Sequence, residues 1–128
     1  RRVLATNPAT RSDMRDAAHA LMASDGKAVS VIQDSGGFVT QRVVATIVNI
    51  ASDMCQQGIC SPADLDTAVT LGLGYPLGPL ALGDRLGADN LLEVLFNLQT
   101  VYGDPRYRPS PWLRRRGALG LSLSHLSI

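Results

Sequence analysis

The longest helical pattern in this chain of 128 residues runs from Phe38 to Gln57 and reads FVTQRVVATIVNIASDMCQQ. A turn signal, Asp34-Ser-Gly-Gly37, precedes it, and Gly58 ends it. Its apolar residues cover more than one narrow stripe, which is typical of a helix that is buried on two sides or packs against a second copy. The pattern therefore predicts the core helix of the domain.

Further helical segments follow the core helix. Ser61 can cap the first of them, and Pro62 and Asp64 suit its first turn. The main body is therefore predicted to be an all-helical bundle, and the fold class is mainly α. The predicted helices run from Pro62 to about Leu71, from Pro79 to Gly87, from Asp89 to Tyr102, and through a short segment at Trp112.

The region before the core helix has a different pattern. An amphipathic helix is predicted over Thr10–Ser24, with Asp25-Gly26 as its stop signal, and the β-branched residues of Lys27–Gln33 predict a short strand. Such a pair cannot make its own sheet, so either the strand lies at an edge or its partners belong to a domain absent from this chain. We therefore divide the chain into a helix-strand remnant of a preceding domain, residues 1–33, and a helical domain, residues 34–128.

Size and charge limit the classes of protein to consider. A length of 128 residues fits one domain, and 45% apolar against 18% charged residues is a globular balance. A net charge of +1 gives no large field of one sign, which argues against a surface built for nucleic acid or anionic membrane. No apolar stretch reaches the ~20 residues needed to cross a bilayer, so we expect a cytoplasmic protein. The start at Arg1 without Met suggests a fragment or a processed product.

The glycine loop Gly72-Leu-Gly-Tyr-Pro-Leu-Gly-Pro79 is the most distinctive local sequence. A dinucleotide-binding fingerprint needs G-x-G-x-x-G between a strand and a helix. Here the spacing is G-x-G-x-x-x-G, a helix precedes the loop, and two prolines remove backbone donors. The loop is therefore interpreted as a structural corner between helices, with cofactor binding as the weaker alternative.

The side chains suited to metal binding or catalysis form no recognisable set in the sequence. Cys55 is interpreted as a small buried apolar residue, and a disulfide between Cys55 and Cys60 is a minor alternative. His19 and His125 lie far away in sequence without ligand-like spacing, which argues against a zinc site. We assign no catalytic residue, and we interpret the carboxylates as helix caps or exposed helix faces.

The only concentration of positive charge lies in the tail, where Tyr107 and Trp112 are interleaved with arginines. We expect the two aromatic side chains to pack over the bundle and the guanidinium groups to point outward from the rim. A solvated face explains the cluster better than nucleic acid does, and contact with an acidic partner or with the phosphates of a ligand stays open. The arginines are Arg106, Arg108, Arg114, Arg115 and Arg116.

Four motifs occur in the order and spacing of a known family. The run Asp34–Arg42, the segment Gly58–Asp66, the loop Gly72–Asp84 and the tail Tyr102–Pro111 resemble the C-terminal domain of 3-hydroxyacyl-CoA dehydrogenases. The resemblance implies a bundle of the 6-phosphogluconate-dehydrogenase C-terminal-like type and a homodimer. It also implies an intact enzyme that oxidises 3-hydroxyacyl-CoA to 3-oxoacyl-CoA with NAD, in fatty-acid or related acyl-CoA β-oxidation. The catalytic His and Glu would lie in a separate nucleotide-binding domain.

Gln41 and Arg42 are the residues that the resemblance assigns to the substrate. The family usually has Asn where Gln41 stands, in a G-F-[IV]-x-N-R motif, and that Asn helps to hold the substrate near the catalytic His. Gln41 offers a similar amide on a side chain one methylene longer. The usual G-x-G-F-Y ending is also missing after Gly117. Both departures resemble the second, degenerate copy of this domain in longer bacterial members with a tandem repeat.

Two functions from different classes stay open at this point. In the first, the domain shapes the acyl-CoA site and the dimer contact of an NAD-dependent dehydrogenase. In the second, it is a non-catalytic structural and dimerisation module that has lost its substrate contacts. Because the sequence contains neither a nucleotide-binding fingerprint nor a general base, we expect no NAD to bind to this chain and no dehydrogenase activity from it alone.

Overall fold

A computed structural model of the protein describes residues 1–126 and divides the chain into two compact units, Arg1–Phe38 and the part from Val39 onward. The predominance of helix confirms the predicted mainly α class. The first unit contains β1 (Arg2–Thr6), α1 (Ser12–Ala23) and β2 (Val29–Gln33). The second contains α2 (Thr40–Gln56), α3 (Pro62–Leu73), α4 (Pro79–Leu86), α5 (Ala88–Tyr102), a 3-10 turn (Pro105–Tyr107) and α6 (Pro111–Leu119).

The first unit is a strand-helix-strand unit. β1 and β2 pair in parallel, with Arg2 opposite Val29 and Thr6 opposite Gln33. The prediction that β2 has no partner in the chain is therefore wrong, because β1 was not recognised as a strand. The first unit still has little core of its own, since no residue of α1, Ser12–Ala23, is buried.

The core helix α2 begins two residues later than predicted. Phe38 has a φ of +46°, in the left-handed region that non-glycine residues rarely adopt, and the regular helix starts only at Thr40. One face of α2 is buried in the chain, and the apolar side chains of Val39, Val43 and Ile50 are exposed. The buried residues are Ala45, Val48, Asn49, Ala51, Ser52 and Cys55. The burial of a second side of α2 therefore stays a prediction, because only a second copy of the chain could cover it.

Helices α4, α5 and α6 cover the buried face of α2. The closest approach is at Gly83, where an added Cβ would lie 2.8 Å from a methyl carbon of Val48 and 2.5 Å from one of Leu123. A side chain at this position would force these neighbours to shift. The absence of a side chain at Gly83 therefore allows this close packing of α4.

The tail packs over the bundle, as the sequence predicted. Tyr107, Trp112 and Leu113 are buried, and the Trp112 indole N–H donates a hydrogen bond of 2.9 Å to the backbone oxygen of Leu123. This bond satisfies the one polar atom of the indole and joins α6 to the segment that follows it. The aromatic side chains thus fasten the end of the described chain to the core.

The prediction that all the tail arginines point outward is wrong for Arg116. Its side chain is buried, with the guanidinium carbon 3.1 Å from the centre of the Trp112 ring. The guanidinium also donates two hydrogen bonds, of 3.0 and 2.5 Å, to the backbone oxygen of His125. Burial lowers the pKa of Arg116 from its usual value. The flat guanidinium is accommodated because the indole face and the carbonyl oxygen replace water.

We predict that Trp112→Ala lowers the melting temperature of the chain by more than ~10 °C. The substitution opens a cavity and leaves the Leu123 carbonyl without its donor, which costs about 3–5 kcal/mol, and each kcal/mol shifts melting by ~4–8 °C in small domains. Leu119→Ala, on the exposed side of the same helix, is the control and should change little. Unchanged melting and unchanged protease sensitivity at Arg114–Arg116 in the Trp112 variant would show that the tail is undocked.

Candidate functional site

The two predicted substrate residues lie in the first turn of α2. Gln41 is exposed, and Arg42 is half-buried. The Arg42 guanidinium lies over the ring of Tyr102, 4.6 Å from its centre, and donates a hydrogen bond to the Tyr102 hydroxyl oxygen. Because Tyr102 is the last residue of α5, this contact joins the start of one helix to the end of another.

A second aromatic ring supports the first. The centres of the Tyr102 and Tyr107 rings are 5.8 Å apart at an angle of 44°, a tilted arrangement that aromatic pairs favour. The Arg42 guanidinium is 6.0 Å from the Tyr107 ring centre, and Tyr107 itself is buried. Arg42 therefore has a fixed direction rather than the freedom of an ordinary surface arginine. A guanidinium held in this way can bind carboxylate or phosphate oxygens in a defined geometry.

Asn49 holds the segment that carries Tyr107. Its amide nitrogen donates to the backbone oxygen of Arg108 at 2.9 Å, and its amide oxygen accepts from the backbone N–H of Ser110 at 2.7 Å. Asn49 is buried and lies two helical turns after Arg42, on the same side of α2. The sequence analysis missed this role, and the signal was a single amide inside an apolar helix face.

The glycine loop forms the corner between α3 and α4, as predicted. The Asp66 carboxylate accepts hydrogen bonds from the backbone N–H groups of Leu80 and Ala81, at 2.8 and 2.9 Å. These donors lie at the N-terminus of α4, where a helix would otherwise attract the pyrophosphate of a dinucleotide. Because a carboxylate already occupies them, the loop does not fit such a ligand.

The remaining candidates for chemistry lie outside this site. Cys55 is buried and Cys60 is half-buried, and both are free thiols, so the interpretation of Cys55 as a small buried residue is confirmed. Burial raises the pKa of Cys55 to about 11. Within residues 1–126 no group of three or more His, Cys, Asp or Glu side chains is arranged to hold a metal ion. None of the helices in that range is both long and apolar enough to span a membrane.

Comparison with known proteins agrees with these features. Residues 37–122 match the family described as 3-hydroxyacyl-CoA dehydrogenase, C-terminal domain. The chain is 49% identical over 94 residues to 3-hydroxyadipyl-CoA dehydrogenase of Escherichia coli K12, which covers 73% of the chain and 20% of that enzyme. It is 37% identical over 114 residues to a probable 3-hydroxybutyryl-CoA dehydrogenase of Bacillus subtilis, covering 89% of the chain and 38% of the relative.

A solved structure gives the same result. The crystal structure of (S)-3-hydroxybutyryl-CoA dehydrogenase from Ralstonia eutropha is similar to the chain with a TM-score of 0.88 and 35% identity, over 92% of the chain and 42% of that protein. The chain belongs to the 3-hydroxyacyl-CoA dehydrogenase C-terminal domain family. It spans between 20% and 38% of the length of the two curated relatives described above.

We predict that Asn49→Ala destabilises the chain by roughly 1–3 kcal/mol for each backbone group left without its partner. The two groups are the Ser110 N–H and the Arg108 carbonyl, and the measurement is the urea concentration at half-unfolding. Asn97→Ala, at an exposed position of α5, serves as the control. If the two variants lost equal stability, Asn49 would not be the residue that fixes the tail.

Proposed function

We propose that the protein containing this chain is an NAD-dependent 3-hydroxyacyl-CoA dehydrogenase, which converts 3-hydroxyacyl-CoA to 3-oxoacyl-CoA. In this proposal the helical domain, residues 34–128, supplies one side of the acyl-CoA site. Family membership and the names of the relatives support the reaction. The observation that carries the assignment to this side of the domain is the Arg42 guanidinium, held over Tyr102 beside the exposed Gln41.

Each of the two residues has a different part in the proposed site. The Gln41 amide is a donor suited to a carbonyl oxygen of the acyl group, on an arm one methylene longer than that of Asn. The Arg42 guanidinium carries a fixed positive charge, and its stacking on Tyr102 prevents it from following the ligand freely. The proposal therefore assigns binding and orientation, not acid-base chemistry, to these two residues.

The first unit supports a link to a nucleotide-binding domain. Within residues 1–126, β1 and β2 pair only with each other, and parallel strands are normally covered and extended by further elements of a larger sheet. In our proposal residues 1–33 are the remnant of the domain that holds NAD. In the same proposal the glycine corner does not hold NAD, because its helix N–H groups are occupied by Asp66.

The exposed apolar side of α2 supports a homodimer. Val39, Val43 and Ile50 lie on this side with about half of each side chain accessible, and none of them belongs to the core of the chain. Covering such a surface with its symmetric copy removes apolar area from water on both partners. The proposed partners are therefore a second copy and the acyl-CoA substrate, without nucleic acid or membrane, in a cytoplasmic protein.

One observation favours a second candidate, a structural and dimerisation module. Gln41 occupies the position where the family usually has Asn, as in the degenerate second copy of tandem-repeat members, and a longer side chain displaces the amide and adds rotamer freedom. In this alternative Arg42 and the tyrosines only fasten α2 to α5. The two candidates differ in whether Arg42 affects turnover of acyl-CoA at unchanged stability.

We predict that Arg42→Ala in the full-length protein lowers kcat/KM for acetoacetyl-CoA-dependent NADH oxidation by about 10- to 100-fold. The loss corresponds to a charge-assisted hydrogen bond to the ligand, worth ~1.5–3 kcal/mol. Arg85→Ala, an exposed arginine of α4, is the matched control and should keep full activity. Thermal melting is recorded for both variants. Normal melting with unchanged kcat/KM in Arg42→Ala would favour the structural module.

We predict that the chain sediments as a dimer at tens of micromolar, and that Val43→Glu converts it to a monomer. A charge at the centre of the exposed α2 stripe would be buried without a partner in the dimer. Leu71→Glu, at a more exposed apolar position of α3, should leave the dimer intact. A wild-type chain that sediments as a monomer in this range would contradict the proposed interface.

A further inference from the structure

The turn that joins α2 to α3 brings the two cysteines of the chain together. Cys55 lies in the last turn of α2, and the chain reverses at Gly58, whose φ is +70°. The Ile59 N–H donates to the Met54 oxygen at 3.1 Å, and the Gly58 N–H donates to the Cys55 oxygen at 3.1 Å. The hydrogen bond from Ile59 to Met54 spans six residues and folds the chain back along the end of α2. Cys60 therefore returns to the level of Cys55.

Both thiols are also directed to the same part of the core. Cys55 belongs to the buried cluster around Val48 and Trp112, and Cys60 packs against that cluster while staying partly accessible. The two thiols are also coupled electrostatically, since Cys60 raises the pKa of Cys55, after the larger effect of burial. The charged groups that also act on Cys55 are Arg116, which lowers its pKa, and Asp66, which raises it. The sequence contains no other cysteine.

We propose that Cys55 and Cys60 form a reversible intramolecular disulfide, which makes the α2–α3 turn a site of thiol oxidation. A disulfide needs Cα atoms about 4.4–6.8 Å apart, and the turn at Gly58 favours such an approach because it places both cysteines against the same buried cluster. An added Cβ at Gly58 would meet no atom within 4 Å, so this side of the turn is not crowded by other segments. The proposal does not depend on the function of the protein.

A peroxide is the oxidant in the proposed reaction. The accessible Cys60 sulfur attacks one peroxide oxygen, the O–O bond breaks, and Cys60 becomes a sulfenic acid as one water leaves. The Cys55 thiol then gives up its proton as its sulfur attacks the Cys60 sulfur, the S–S bond forms, and the S–O bond breaks as hydroxide and that proton leave as a second water. Two thiols are oxidised by two electrons, and hydrogen peroxide is reduced to two molecules of water. A dithiol reverses the reaction by exchange.

The experiment measures the two thiols in a single peptide. Trypsin cuts after Arg42 and Arg85, and the peptide between them contains both cysteines and no other cleavage site. The 128-residue chain is freed of reductant, exposed to hydrogen peroxide, unfolded in the presence of N-ethylmaleimide and digested. We expect this peptide to lose two hydrogen atoms in mass and to take up no maleimide. After dithiothreitol it should take up two.

A cysteine variant and the other possible oxidation products test whether the disulfide forms. Cys60→Ser should leave a single thiol that takes up one maleimide with or without peroxide, because Cys55 is buried and has lost its partner. Three outcomes would overturn the proposal in the wild-type chain. They are uptake of two maleimides after peroxide, addition of two or three oxygens to Cys60 with Cys55 still a thiol, and a covalent dimer on non-reducing electrophoresis.

Discussion

The burial of one face of α2 is the constraint on which the rest of the helical unit depends. α2 is the longest helix, and α4, α5 and α6 all pack against it. None of these three helices is long enough to be stable alone in water, so each gains its stability from the same apolar face. The missing side chain at Gly83 allows α4 to pack closely here, against the side chains of Val48 and Leu123.

Polar contacts decide which of several apolar packings is adopted. Asp66 binds the first N–H groups of α4, Asn49 binds the backbone before α6, and Asp84 accepts a hydrogen bond from the Leu123 N–H at 2.7 Å. Each contact joins segments far apart in sequence, and a displaced packing would leave buried polar groups unpaired. The same contacts reach the candidate site, because Asn49 holds the segment that carries Tyr107, and Tyr107 supports the ring beneath Arg42.

The sequence predicted what depends on local patterns. The helices of the bundle were recognised because proline, glycine and capping residues such as Ser61 mark their ends, and Ser61 accepts from the Asp64 N–H at 3.2 Å as expected. β1 was missed because five residues with a charged start give too weak a pattern. Arg116 and Asn49 were missed for another reason, since their partners, His125 and Ser110, lie on segments whose position only the folded chain defines. Gln41 and Arg42 were assigned to the substrate through motif similarity, whereas the contacts of Arg42 with Tyr102 and Tyr107, which lie in another matched motif, were not predicted.

The position of Leu123 has a consequence for biosynthesis. Leu123 is fully buried against the Gly83 side of the core, and it lies 75 residues later in the chain than Val48, which packs at the same point. A ribosome that adds about 5–20 residues per second needs roughly 4–15 s to make that interval. Helices α4 and α5, which also pack against α2, are synthesised earlier, so the part of the core that is completed last is the part that Leu123 fills. The nascent domain thus completes its core only when the segment after α6 has been synthesised.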